Sequence, residues 1–206
     1  MEPVNTVEDY IAQQRNAIAQ NPECGTSYYN LAIGLLGQRK FGEAEEMLHK
    51  AIECSPTLAE AYVQLGGICL ERGDLDGCLD FNTRAVNCRA QFSEGYGNIG
   101  FVHLQQGDAD KAIPALEKAI RYNPKFLQAH ATLANAYLMT GLFDQAVETN
   151  LKVLELEPEF AVAHHNLSIA YLEKGDYASA VKHNDQAREL GYKTPPEFQQ
   201  EIDKHR

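Results

Sequence analysis

Residues 127–160 read LQAHATLANAYLMTGLFDQAVETNLKVLELEPEF, and residues 161–194 read AVAHHNLSIAYLEKGDYASAVKHNDQARELGYKT. Laid one under the other they pair His130 with His164, Leu133 with Leu167, Tyr137 with Tyr171, Gly141 with Gly175, Ala146 with Ala180 and Asn150 with Asn184. The step is 34 residues, and it runs back through the chain. Pro22, Pro56, Pro124 and Pro158 sit on it, with Ala90 at the remaining place. Gly73 and Gly107 precede Gly141, and Ala44 and Ala112 precede Ala146, on the same interval. A fixed period of this length marks a stacked array of small units. Arrays of that kind expose long faces, which directs function toward binding rather than chemistry.

Within one unit, with position 1 at Gly25, Ala59, Ser93, Leu127 and Ala161, the residues at positions 4, 7, 8 and 11 recur as one pattern. The first unit carries Tyr28, Leu31, Ala32 and Leu35; the fourth carries His130, Leu133, Ala134 and Tyr137. The spacing i, i+3, i+4, i+7 is one face of an α-helix, here helix A. The small residue at position 8 lets a second helix approach. A glycine then reads as the left-handed residue just past a helix end, with Arg39 in its place in the first unit. Helix B follows, with Ala44, Leu48, Ala51 and Ile52 in unit one, and proline closes the unit.

This pattern resembles the tetratricopeptide repeat family. The resemblance covers residues 25–194 as five units, 25–58, 59–92, 93–126, 127–160 and 161–194. It implies an all-α, right-handed α-α superhelix whose helices A line a concave groove. Residues 1–24 read as an N-terminal cap, with Thr6 capping a helix to Gln20. Residues 195–206 read as a C-terminal cap, with Thr194 as its N-cap, Phe198 and Ile202 covering the open end, and Gln199 facing water. The chain departs from the family pattern in lacking the Trp of position 4. It also carries Asn82, Asn150 and Asn184 where an aromatic is usual in helix B. These asparagines read as local packing, with a polar seam as the alternative.

Bulk properties narrow the function classes. The net charge is -11, from 29 acidic and 18 basic residues, which disfavours nucleic acid and favours a neutral or basic partner. No apolar run reaches a membrane span and no leader is visible, so a cytoplasmic protein is expected. Cys24, Cys54, Cys69, Cys78 and Cys88 form no CxxC and read as packing residues in a reducing compartment, against a metal or redox role. No catalytic or phosphate-binding motif occurs, and neither cofactor nor metal is expected. His130 and His164 at position 4 read as packed rings.

The resemblance places the groove on helix A positions 2, 5, 6, 9, 12 and 13. Asn30, Gln64, Asn98 and Asn166 hold position 6, and Asn135 holds position 9. A side-chain amide both donates and accepts, so such a row suits the backbone of an extended peptide. A similar asparagine row occurs in the repeats of peptide-reading glycosyltransferases. Tyr29, Ile33, Phe101, His165 and Ile169 supply anchors, and Gly67 and Gly97 leave space. Leu36, Leu70, Leu104, Leu138 and Leu172 at position 12 read as edge packing. Family members that grip a C-terminal carboxylate use Lys or Arg at positions 2, 5 and 6, and this chain has none there. The expected function is a non-enzymatic adaptor holding an extended or helical segment of a partner protein. The alternative is a homo-oligomeric, self-associating assembly subunit.

Overall fold

The repeat pattern folds into helices alone among the described residues, which in this computed structural model are 6–206. In order they are α1 (Val7–Gln20), α2 (Gly25–Gly37), α3 (Phe41–Cys54), α4 (Ala59–Glu71), α5 (Leu75–Cys88), α6 (Ser93–Gln105), α7 (Ala109–Tyr122), α8 (Leu127–Met139), α9 (Phe143–Leu156), α10 (Ala161–Glu173), α11 (Tyr177–Glu189) and α12 (Pro196–Asp203). The helices group into two compact units, one ending at Asn98 and one beginning at Ile99. None of the helices is long and apolar enough to cross a membrane.

Each turn between helices A and B is built the same way. Past α4, Gly73 adopts φ 76°. Its N–H donates to the Leu70 carbonyl, and the Asp74 N–H reaches back to Cys69, both at 2.9 Å. This paired closure satisfies carbonyls that the helix end leaves open. Gly107, Gly141 and Gly175 share the positive φ. Arg39 takes the same conformation at φ 58° without being glycine, and Lys40 N–H still reaches Leu35 at 3.0 Å. Asp74, Asp108 and Asp176 then cap α5, α7 and α11, each accepting a backbone N–H three residues on.

Helix B packs over position 8 of helix A. At Gly66 a Cβ would stand 2.4 Å from the Asn82 amide nitrogen, and at Gly100 it would stand 2.4 Å from Leu116. Close approach therefore demands glycine at these two places. Ala44, Ala112, Ala146 and Ala180 are wholly buried from the helix B side. In the unit ending at Asn98 the core runs from Ile11 through Leu31, Leu35 and Leu48 to Leu65 and Ile68. In the other, Leu116, Leu133, Val153 and Leu167 are buried.

Position 4 has a second task. Tyr62 Oη donates to the Pro56 carbonyl at 3.1 Å, and His130 Nε2 meets the Pro124 carbonyl at 3.0 Å. His164 bonds to the Pro158 carbonyl in the same way. A carbonyl only accepts, so each ring must donate. Tyrosine and histidine interchange here because both carry a donor at the ring tip.

The ends carry caps. Thr6 Oγ1 accepts from Asp9 N–H at 3.1 Å and starts α1, and Ile11 packs over Gly34. At the other end Ile202 is fully buried. The N-cap of α12 is Pro195 rather than Thr194. Thr194 instead donates to Asn184 Oδ1 at 3.2 Å, and Gln199, expected to face water, accepts from Asn184 Nδ2 at 3.0 Å. A fully buried asparagine needs partners, and the cap supplies them.

Candidate functional site

Helix A faces line a cavity in each unit, and the two are built largely from matching repeat positions. Before Asn98, a cavity of about 300 Å³ is lined by Tyr29, Glu60, Val63, Gln64, Phe92 and Glu94, with Arg89 at its wall. After Ile99, a cavity of about 310 Å³ is lined by Phe101, Gln128, Ala131, Thr132, Phe160 and Val162, with Leu104, Gln105 and Asn135 beside them. Positions 2, 5 and 6 of one helix form the floor of each, Glu60–Val63–Gln64 in α4 and Gln128–Ala131–Thr132 in α8. The last residue of a repeat, Phe92 or Phe160, forms a wall.

Several residues expected to contact a partner do line these cavities: Tyr29 and Gln64 in the first, Phe101 and Asn135 in the second. Asn30, Ile33 and Ile169 are half-buried on the helix A faces. Burial raises the Tyr29 hydroxyl above its ordinary pKa, with the Glu60 charge adding to it, so Tyr29 stays a neutral donor. Gly67 has open space where a side chain would stand. Leu104 contributes to a cavity, while Leu70 is exposed.

Three expected contacts are bonded, buried or covered within the protein instead. Asn98 Nδ2 donates to Asn82 Oδ1 at 2.9 Å, and Asn82 Nδ2 donates to the Cys78 carbonyl at 2.8 Å. Asn82 is fully buried, so its amide bridges its own helix to the next helix A. Asn166 is only 4% exposed and stands to Asn150 as Asn98 stands to Asn82. Asn150 Nδ2 donates to the Ala146 carbonyl at 2.8 Å, while Asn150 Oδ1 and Asn166 Nδ2 lie buried without partners. His165 is covered as well, stacked on Tyr192 at 4.3 Å between ring centres and edge-on to Phe198 at 5.2 Å. The C-terminal segment fills the space that a ligand would need there. The asparagines of helix B thus form the polar seam, and Asn98 belongs to it.

Phe92, Phe160 and Val162 line the cavities without having been expected there, although Leu58, Phe92, Phe126 and Phe160 recur on the 34-residue step. That recurrence was the available signal. The first cavity is charged. Arg89 donates to Glu60 Oε1 at 2.6 Å and its guanidinium lies 4.8 Å from the Phe92 ring centre. Glu94 Oε2 accepts from Ser93 Oγ at 3.0 Å, and the residue is exposed. No charged residue lines the second cavity.

Away from the cavities, burial clusters histidines. His164 Nδ1 and His183 Nδ1 lie 2.9 Å apart, and His183 stacks on Tyr171. Burial lowers both, His183 to about 4 with help from His164 and Lys182. Among the described residues no group of three or more His, Cys, Asp or Glu side chains could hold a metal. All five cysteines are free thiols, with Cys69 and Cys78 buried; desolvation pushes the Cys78 thiol to about 11, which suits packing.

Hairpins on a 34-residue step define an α-helical repeat protein. Tetratricopeptide repeat models match residues 24–55, 103–155 and 149–182, together more than half of the chain, which belongs to the tetratricopeptide repeat family. No curated protein matches the sequence. Among solved structures the fold is similar to YrrB, described as a TPR protein with an unusual peptide-binding site, at TM-score 0.77 and 21% identity over 93% of this chain and 97% of that one. MamA from Desulfovibrio magneticus RS-1 gives 0.72 and 22% over 81% and 94%. The Cut9–Hcn1 hetero-tetramer of the APC/C gives 0.76 and 16% over 98% of this chain and 40% of that one.

Proposed function

We propose that this protein is a non-enzymatic interaction module that holds a segment of a partner protein against its helix A faces. The observation that carries the reading is the pair of cavities at matching repeat positions, each with an aromatic wall and an amide or hydroxyl on its floor. An aromatic wall beside a few fixed polar groups gives a ligand both affinity and orientation. Tyr29, Ile33, Gln64, Phe101 and Asn135 are the proposed contacts, together with Thr132, Phe92 and Phe160. An extended peptide suits them, because Gln64 and Asn135 can pair with backbone N–H and C=O together. YrrB supports the reading as a TPR protein with a peptide-binding site. The acidic balance of the chain favours a neutral or basic segment.

Self-association through stacked ends has less support. Ile202 of α12 is fully buried against the rest of its unit, so stacking at that end requires the cap to detach. The test is selection of random 12-residue peptides displayed on phage against the whole protein and against Ala131→Trp. Ala131 is a half-buried floor residue, and an indole there fills the cavity. The expected result is peptides enriched on the wild type and a loss of affinity of about tenfold or more for them on the variant, the scale of losing one anchored side chain. Equal binding to a folded Ala131→Trp would remove the second cavity from the site.

A further inference from the structure

The two cavities share a scaffold but not a charge, and the first carries a carboxylate, Glu94, that has no ion pair among the described residues. Its cationic member, Arg89, is committed: one bond goes to Glu60 and the guanidinium face lies over Phe92. Glu94 remains exposed, and the Ser93 hydroxyl, a neutral group, donates to it. Tyr29 and Phe92 give the same cavity aromatic walls.

We infer that the cavity between Tyr29 and Glu94 receives a basic side chain of the partner segment, with arginine preferred. The inference rests on the reading of the helix A faces as the binding surface, and adds the chemistry of one contact. Charge complementarity commits the occupant. Glu60 and Glu94 set against Arg89 leave one negative charge in the cavity, on a chain that is itself acidic throughout. Arg89 displays how a guanidinium sits here, bonded to a carboxylate and with an aromatic ring against its face. A guanidinium is planar, weakly hydrated and able to use both contacts together, whereas an ammonium uses them as a point charge. Aromatic walls also accept the aliphatic stem of such a side chain. An acidic side chain entering the cavity would meet Glu94 unpaired.

The same random 12-residue phage library tests this, selected on the wild type, on Glu94→Gln and on Arg89→Gln. Glu94 is exposed and Arg89 is exposed, so neither change removes core packing. Wild-type selections are expected to be rich in arginine. The best arginine-containing peptide should bind Glu94→Gln about fivefold more weakly, the scale of one partly exposed ion pair. It should bind Arg89→Gln more tightly, since that change releases Glu60. Raising the salt concentration should weaken wild-type binding more than Glu94→Gln binding. Selected peptides with no basic enrichment, still lost on Ala131→Trp, would overturn the inference and leave the binding surface standing. Acidic enrichment lost on Arg89→Gln would overturn it by making Arg89 the reader. A wild type that enriches no peptide would overturn the binding surface and this contact together.

Discussion

The cavity before Asn98 and the cavity after Ile99 can be compared at five places, because five members of each lie two repeats apart. Glu60 corresponds to Gln128, Val63 to Ala131, Gln64 to Thr132, Phe92 to Phe160, and Glu94 to Val162. Size is conserved, at about 300 and 310 Å³, and so is the aromatic wall. What changes is position 2, where two carboxylates give way to an amide and an isopropyl group. Arg89 likewise gives way to Glu157. The repeat therefore separates two jobs. Positions 4, 7, 8 and the turn glycine hold the backbone, while positions 2, 5 and 6 vary the chemistry without disturbing it. Three further differences between the same regions can be measured on stability alone.

The largest concerns the seam. Asn82 is fully buried with both ends of its amide used, whereas Asn150, equally buried, leaves its oxygen without a donor. Asn82→Ala removes two bonds, strands the Asn98 amide and opens a cavity, for a cost of about 2–3 kcal/mol. Asn150→Ala opens a cavity of the same size but gives up one bond and relieves one unpaired oxygen, so its cost should be lower by about 1 kcal/mol. Urea unfolding of both variants at one pH compares them. Equal costs would mean that Asn150 and Asn166 complete their bond in solution as Asn82 and Asn98 do.

Acid should separate the regions next. His164, His165 and His183 are all lowered by burial, and all three lie after Ile99. His183 titrates at about 4 against 6.5 for an ordinary histidine. The unfolded chain then binds more protons between those values, so stability is present above about 6.5 and is lost as the pH falls toward 4. The loss attributable to His183 is about 2 kcal/mol after allowing for partial exposure. His183→Gln should flatten the fall in melting temperature between pH 7 and pH 4. A parallel fall in the variant would assign the acid lability to other groups.

Much of the scaffold was legible because repetition multiplies weak signals. One glycine after an apolar stripe is a weak sign of a helix end, but Gly73, Gly107, Gly141 and Gly175 on one interval are a strong one. The polar face was less legible. Asn98 looks the same in sequence whether it faces a ligand or the amide of Asn82, since both uses ask only for an amide on that side of the helix. The recurrence of Asn82 with Asn98 and of Asn150 with Asn166, at equal spacing, was the clue to the seam. His165 was harder still. Its burial comes from Tyr192, which stands where the other units carry their closing proline or alanine, and from Phe198 beyond the last unit, so no period announces that contact. Phe92 and Phe160 were readable from their interval, but position 34 falls between helices, where a face-by-face reading of helix A does not look.

The smallest effect isolates one dihedral angle. Arg39 and Gly141 hold the same place in their turns, at φ 58° and 72°, and both turns close with the same pair of backbone bonds. A side chain in the left-handed region costs about 1–2 kcal/mol, and glycine returns part of that through its greater freedom when unfolded. Arg39→Gly should therefore stabilise by about 0.5–1 kcal/mol. Gly141→Arg should destabilise by a similar amount, since a Cβ at Gly141 meets nothing within 4 Å and only the dihedral penalty remains. The two changes are mirror images if backbone conformation alone is at stake, and urea midpoints at constant slope measure both. A gain at residue 39 much smaller than the loss at residue 141 would show that the Arg39 side chain compensates its strained backbone with a surface contact, making the first turn a different device from the other four.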